Sequence, residues 1–344
     1  MRQVTLAATL CALSLAGSVS AHAASAVAAD AAAKAADAVA ASNYPDKPIR
    51  VIVPGAAGGA ADTLARALAN NLSTAFGQPV VVENRVGAAG IVGTVAIAKA
   101  PADGYTLGFT FSGAMSINPS LYKSLPYDVD KDFEPVGVTA VSPLVIAVSP
   151  KLGVNTLGEL VERAKREPGK LTFGSTGVGS TQQLSMELLR SQAGINMLHV
   201  PYKGSAAALT DLISGQISVH ADNALSVIPF AQSGQLKALA VGTTKRIASL
   251  PDVPTVAESG YPDYQAAGWY GMVAPAGTPK AVITKLSLAM TQYLKQPETV
   301  KWLEQQGMVP QLTTPAEFRT FMGKERAKWA RVIKDADVPV QDLR

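Results

Sequence analysis

The sequence predicts an α/β fold arranged as two domains, from three observations. From Tyr44 onward, short apolar runs alternate with stretches of helical periodicity, as expected of strands covered by crossover helices. The chain has 344 residues, more than one ordinary core organises and comfortable for two. Finally, two glycine-rich loops, opening at Gly55 and Gly174, lie 119 positions apart, each between an apolar run and an amphipathic helix.

In chain order, Ile49–Val53 reads as a strand, and Pro54-Gly55-Ala56-Ala57-Gly58-Gly59-Ala60-Ala61 as a loop. A helix then carries Leu64, Leu68 and Leu72 on one face. Further strand-like runs are Val80–Val82, Thr106–Phe111, Val136–Val138 and Leu144–Val148. Thr156 and Glu159 have capping-box spacing ahead of a helix whose apolar face is Leu157, Leu160, Val161 and Ala164. The second unit reads Leu171–Phe173 as a strand, Gly174-Ser175-Thr176-Gly177-Val178-Gly179-Ser180 as a loop, and a helix from Thr181. Strands follow at Leu198–Val200, Ile217–His220 and Leu236–Val241, with Gly215 as a helix C-terminal glycine. The Pro/Gly-rich run from Leu250 to Pro279 reads as a long connection, broken by a capping box at Thr255 and Glu258. Two helices, near Ala281–Leu294 and Ala316–Ala336, close the chain; Thr314-Pro315-Ala316-Glu317 starts the second. Crossings between the domains are expected near Pro143–Pro150 and Ala266–Pro275.

The N-terminal segment is of another kind. Arg2, the apolar stretch Val4–Val19 and Ala21-His22-Ala23 read as a secretory signal, 1–23, followed by an alanine-rich flexible leader, 24–43. Cys11, the only cysteine, falls inside that signal, so the mature chain would rely on its core alone. Hydrophobic residues make up 48% and charged residues 16%, the balance of a well-buried globular protein. A net charge of +4, with scattered Lys and Arg, gives no footprint for nucleic acid.

A helix start preceded by glycines exposes backbone N–H groups and a partial positive charge, and both favour an anion. Two such starts suggest two walls closing on one anionic ligand. No Lys, Arg or His lies between Val51 and Ala65 or between Phe173 and Glu187. The anion would therefore be held by amides and by Ser175, Thr176, Ser180 and Thr181. Neither loop carries the Lys-Ser/Thr of a P-loop, and Gln182 stands where a dinucleotide fingerprint needs its third glycine. A tight turn with close strand–helix packing is the plainer alternative for each loop.

Catalytic parts are scarce. The histidines beyond the signal are His199 and His220, and no Gly-x-Ser-x-Gly elbow occurs. Asp128-Val129-Asp130-Lys131-Asp132 hints at calcium spacing, but Phe133 and Thr139 replace the required Gly and Glu. Asp222 ends a strand-like run where an α/β crevice opens; it reads either as a recognition group for an amine or as a cap or surface carboxylate. Trp269, Tyr270 and Tyr202 are either pocket-lining or core residues.

Together these features resemble the Bug/TctC family of extracytoplasmic solute-binding proteins of tripartite tricarboxylate transporters. The resemblance is carried by Tyr44-Pro45-Asp46-Lys47-Pro48-Ile49, the Gly58-Gly59 loop with Asp62 and Arg66, and Glu83-Asn84-Arg85. It continues through Asp103-Gly104-Tyr105-Thr106-Leu107, Leu125-Pro126-Tyr127-Asp128, Val200-Pro201-Tyr202-Lys203-Gly204 and Leu250-Pro251-Asp252-Val253-Pro254-Thr255. It implies a two-lobe periplasmic-binding-protein fold that closes like a flytrap, with residues 44–146 plus 268–344 as one lobe and 147–267 as the other. It also implies a periplasmic location, a small carboxylate ligand, membrane permease subunits as partners, no cofactor or metal, no enzymatic activity and a monomer. Carried onto this chain, the ligand wall would be Gly58, Gly59, Ala60 and Ala61 on one side and Thr176, Gly179, Ser180 and Thr181 on the other. Ser112 and Asp222 would complete the pocket.

Three places depart from the family pattern: Gly55 replaces a frequent aromatic residue, Gln183 a common histidine, and Ser112-Gly113-Ala114-Met115 a His-containing stretch. Lost bulk at position 55 predicts a wider pocket mouth and a larger ligand. A ligand sensor for a signalling partner, or an α/β enzyme acting on an anion, are the rival readings.

Overall fold

The computed structural model describes residues 43–343; the expected signal 1–23, with Cys11, and the leader up to Ser42 lie outside the described residues. Strand β1 (Ile49–Val53) enters the first glycine loop, helix α1 (Ala60–Phe76) follows, and β2 (Val80–Asn84) returns parallel to β1. Leu64, Leu68 and Leu72 of α1 are buried, and the helix stops at Gly77 in the left-handed conformation, where glycine carries no Cβ penalty. Helix α2 (Ile91–Ala98) leads to β3 (Thr106–Phe111), also parallel to β1. A π-turn at Gly113–Ile117 then runs into the short helix α3 (Asn118–Leu121).

The 16-residue strand β4 (Phe133–Val148) leads into the second lobe. There follow α4 (Leu157–Arg166), β5 (Thr172–Ser175), α5 (Thr181–Ala193), β6 (Leu198–Pro201), α6 (Ser205–Ser214), β7 (Val219–Asn223), α7 (Ala224–Gln232) and β8 (Lys237–Val241). The chain then returns through β9 (Ala267–Pro275), α8 (Lys280–Leu294), α9 (Pro297–Gln305), β10 (Val309–Pro310) and α10 (Pro315–Asp335). The ladder runs β2-β1-β3-β9-β4-β7-β5-β6, with β10 and β8 also on β4. β4 belongs to both lobes: Phe133–Pro143 pairs with β9, and Leu144–Val148 pairs with β7 and β8. The result is a mixed α/β, two-lobed molecule.

Several expectations shift. The runs Val136–Val138 and Leu144–Val148 are one strand, and β9 lies inside the stretch read as a connection. The parallel pairing that crossover helices imply is found at the outer strands; β3 with β9, and β4 with β7, β8, β9 and β10, are antiparallel. The Thr255–Glu258 capping box forms, with reciprocal bonds of 2.7 and 3.0 Å, but it closes a turn rather than a helix.

The lobes are joined where β4 meets the return segment. Gly242 N–H donates to Leu144 O at 2.8 Å, and Ala266 N–H donates to Gly242 O at 2.9 Å. A Cβ at Gly242 would lie 2.2 Å from Ala266 O, so this approach requires glycine. Helix α10 ties both lobes together. Its Phe318 and Met322 pack with Phe133 and Trp269 in the first lobe, whereas Trp329, Val332 and Ile333 pack with Leu184 and Tyr264 in the second. The tail beyond α10 returns to α3, with Gln341 N–H donating to Leu121 O at 2.7 Å and Lys123 N–H to Gln341 O at 3.1 Å.

Candidate functional site

A cleft of about 620 Å³ opens between the lobes at the C-terminal ends of β1, β3 and β7, where an α/β sheet leaves a crevice. No Asp, Glu, Lys, Arg or His side chain is among its lining residues. Its polar groups are hydroxyls, carboxamides and backbone amides.

The second-lobe wall is Val178–Gln182, the start of α5. Ser180 Oγ accepts the N–H of Gln183 at 3.2 Å, and Gln183 Oε1 accepts the N–H of Gly179 at 2.7 Å. These bonds fix the loop and leave the first-turn amides of Thr181 and Gln182 without intrahelical partners. Behind this wall runs a hydrogen-bond relay from half-buried Thr176 to buried Asp222. Thr176 Oγ1 donates to Gln182 Oε1 at 3.0 Å, and Gln182 Nε2 donates to Asp222 Oδ1 at 3.2 Å. Asp222 also accepts the N–H of Asn223 at 2.8 Å and faces His220 Nε2 at 3.2 Å. Burial alone would raise the Asp222 carboxyl, but bonds from His220, Ser205 and Gln182 hold it below the usual carboxylate range. Thr176 and Asp222 therefore stand behind the cleft, and the oxygens of Asp222 are already taken. They are not set out to meet an amine.

The first loop reaches the cleft through Pro54, Gly55 and Ala56. Gly58 N–H is taken by Asp62 Oδ2 at 2.9 Å and Gly59 N–H by Ala56 O at 3.2 Å. Asp62 in turn accepts Arg66 Nε at 3.0 Å, Arg66 Nη2 donates to Asn84 Oδ1 at 3.0 Å, and Asn84 Nδ2 donates to Gly55 O at 3.0 Å. The guanidinium of Arg66 holds the Asp62 carboxyl below its usual range. Gly58, Gly59 and Ala60 are exposed and Ala61 is buried, and none of the four lines the cleft. Of the expected wall, the structure brings Ser112, Gly179, Ser180 and Thr181 onto one cavity.

One part of the wall escaped sequence reasoning. Gly87, Ala88, Ala89 and Gly90 have φ of 138°, 44°, 53° and 88° and line the cleft. Left-handed geometry costs an alanine about 1–2 kcal/mol. Asn118 Nδ2 holds the turn by donating to Ala89 O at 3.1 Å. The available signal was two glycines flanking two alanines between Glu83-Asn84-Arg85 and an apolar helix. The floor is Phe111 and Tyr270, directly opposite in the β3–β9 register, with Ser112 and Gly268 beside them.

The nearest approach to a catalytic pair is Ser175 Oγ, 2.6 Å from His199 Nε2. Ser175 is fully buried, and its Oγ also bonds the N–H and C=O of Gly177, both at 3.1 Å. Burial, with the Arg190 charge, pushes His199 down. The pair fastens the loop, and its hydroxyl has no access to a substrate. Among the described residues no cluster of His, Cys, Asp or Glu is placed to hold a metal ion, and no helix is long and apolar enough to cross a membrane.

Comparison with known proteins identifies the family. The family model described as TctC, tripartite tricarboxylate transporter family receptor, matches residues 64–338. Protein BugT of Bordetella pertussis is 40% identical over 300 residues, covering 86% of this chain and 91% of BugT. The solved structure of R. palustris Rpa4515 with adipate is 35% identical, with a TM-score of 0.75, covering 88% of this chain and 100% of that one. MatC from Rhodopseudomonas palustris with bound malate is 30% identical, with a TM-score of 0.70, over 84% of this chain and 100% of its own. This chain belongs to the TctC family of periplasmic solute-binding receptors, which includes the Bug proteins.

Proposed function

We propose that this chain is an exported receptor that captures a small carboxylate between its two lobes and delivers it to a tripartite tricarboxylate-type permease. The observation that carries the reading is the uncharged cleft wall, which the start of α5 at Thr181 and Gln182 and the left-handed turn Gly87–Gly90 line together. Gly58–Ala61 and Thr176 serve this site by shaping its loops, and Asp222 by holding Gln182. A helix start contributes about 0.3–1 kcal/mol, up to about 2 when partly buried. Charge-assisted hydrogen bonds add about 1.5–3 kcal/mol each. A helix start and three such bonds reach the roughly 8 kcal/mol of micromolar binding without a fixed cation. Relatives solved with adipate and malate support the ligand class, and the signal-like sequence expected at 1–23 supports periplasmic export.

The test is to denature the purified protein, identify any released small molecule by mass spectrometry, and titrate matching acids into refolded protein by calorimetry. One acid bound at micromolar affinity and returned unchanged is expected. A folded protein that binds no carboxylate would refute the reading, and turnover of the acid would make it an enzyme.

A further inference from the structure

The two sides of the cleft offer different chemistry. The α5 side presents backbone amides, whereas the floor presents side-chain hydroxyls on an aromatic bed. On β9, Gly268 and Tyr270 share the cleft face, while Trp269 between them turns into the first-lobe core, as strand alternation requires. Tyr270 lies opposite Phe111, so two rings pave the floor. Ser112 follows Phe111 and is only 4% exposed, yet its hydroxyl makes no capping bond and has no hydrogen-bond partner among the described residues.

Tyr270 is half-buried on the cleft face and differs from the buried tyrosines. Tyr44 donates to Gly104 O at 2.8 Å, Tyr127 donates to Ala114 O at 2.6 Å, and Tyr264 bonds Ser185 Oγ at 2.6 Å. The Tyr270 hydroxyl has no such partner among the described residues, and partial burial raises the phenol above its ordinary value. The phenol thus keeps its proton and remains a donor. A Cβ on Gly268 would sit 3.8 Å from Ser112 Oγ, so the glycine leaves that hydroxyl uncovered. Two hydroxyl donors without protein partners thus share one cleft floor beside a hydrocarbon surface, with no cation lining the cavity.

We propose that the Ser112 and Tyr270 hydroxyls form a distal subsite that reads a hydrogen-bond acceptor at the far end of the ligand, making them specificity-determining residues. This rests on the carboxylate-binding reading above. The ligand would place one carboxylate on the amide side, lay its carbon chain on Phe111 and Tyr270, and present a carboxylate, hydroxyl or carbonyl oxygen to the floor. A site built to bond such an oxygen discriminates strongly against an analogue lacking it.

The experiment pairs protein and ligand changes. Wild type, Tyr270→Phe and Gly268→Ala are titrated by calorimetry with adipate against hexanoate, succinate against butyrate, and 6-hydroxyhexanoate. Tyr270→Phe keeps the ring and removes one oxygen. It should weaken the best-bound acid that carries a distal acceptor by about ten- to hundredfold, and its acceptor-less partner by less than about twofold. Gly268→Ala, which covers Ser112, should act in the same selective direction. Equal binding of an acid and its acceptor-less partner by wild type, or an equal effect of Tyr270→Phe on both, would overturn the distal subsite while leaving carboxylate capture intact. Wild type that binds none of these acids, nor any acid released on denaturation, would bring down the capture reading and this inference with it. A stronger loss for adipate than for 6-hydroxyhexanoate would identify the distal group as a carboxylate, and the reverse as a neutral oxygen; both support the subsite.

Discussion

Gly179 stands at φ +77°, and a Cβ built on it would lie 2.2 Å from Leu121 Cδ2 and 2.9 Å from its Cδ1. Leu121 is 4% exposed and belongs to the opposite wall of the cleft. Gly179→Ala therefore incurs two separable costs. Left-handed geometry for an L-residue is worth about 1–2 kcal/mol. Overpacking against a buried side chain adds about 1–3 kcal/mol, for a total of about 2–5 kcal/mol. Leu121→Ala removes the atoms that the new methyl meets, at its own cost of about 2–5 kcal/mol. In that background Gly179→Ala should retain only the backbone term. Urea unfolding of the four proteins should thus show a coupling of about 1–3 kcal/mol between the two sites. The same clash holds the walls apart, so calorimetry should show weaker ligand binding in Gly179→Ala than in wild type. Equal costs of Gly179→Ala in both backgrounds would refute the inter-wall contact. A cost below about 0.5 kcal/mol in the wild-type background would refute the backbone term too, given the usual penalty of the left-handed region.

Four further outcomes follow from the same geometry. Because no cationic side chain lines the cleft, carboxylate affinity measured by calorimetry from low to high salt should change by less than about threefold; a site built on fixed charges would lose far more. Asp222 lies below the usual carboxylate range when folded, so its pairing stabilises the protein fully above that range and is lost as pH falls through the lowered value. Asp222→Asn should accordingly flatten the acid limb of a Tm-against-pH profile, and should lower stability near neutrality by about 1–3 kcal/mol, as loss of hydrogen bonds to a buried carboxylate does. Gly55→Phe restores bulk at the mouth, where a Cβ meets nothing nearer than 3.8 Å; the variant should fold normally and bind a large ligand more weakly, and unchanged binding would count against the wide-mouth idea. Thr314→Ala breaks the capping box at α10 and should cost about 1 kcal/mol in urea unfolding with ligand affinity unchanged.

The loop–helix units and most outer strands were legible because local signals agree there. Ile49–Val53 and Thr106–Phe111 are strands with the predicted ends, since apolar β-formers are bounded by Pro, Gly or Asp. β9 was hidden by its own packing. Its Gly268, Gly271 and Pro275 read as turn residues, yet a Cβ on Gly271 would lie 2.8 Å from both Gly137 O and the Phe318 ring. The glycine serves close approach, not bending. Direction was illegible for a related reason: a strand buried on both faces has the same apolar composition whether its neighbours run parallel or antiparallel. Within the site, residue type identified the loops but not which side of each loop meets ligand. Asp62 consumes the Gly58 amide, and Gln182 stands between Asp222 and the cleft; both facts depend on side-chain direction. Ala88 and Ala89 carried no left-handed signal, because strain of that kind is imposed by Asn118 and the flanking glycines rather than by alanine.

The placement of donors on both lobes gives closure its driving force on the proposed reading. With the lobes apart, an anion meets only the Thr181 and Gln182 amides, a helix-start interaction of about 2 kcal/mol at best plus its hydrogen bonds. Bringing the Gly87–Gly90 turn and the floor hydroxyls to the same ligand adds contacts that exist only in the closed form. A ligand shifts a conformational equilibrium by its differential affinity for the two states and by nothing else. Two added charge-assisted bonds, at about 1.5–3 kcal/mol each, are enough to move a roughly balanced pair of states almost wholly to the closed one. The fold restricts how the lobes travel. β4 runs through both, and α10 buries Phe318 and Met322 in one core and Trp329 and Val332 in the other, so sliding the lobes past each other would disrupt both cores. On the proposed reading the lobes would turn about the backbone hydrogen bonds that join Leu144, Gly242 and Ala266. A bulkier residue at Gly242 would collide with Ala266 O, so on this reading closure, and with it affinity, should be sensitive to a position outside the cleft lining.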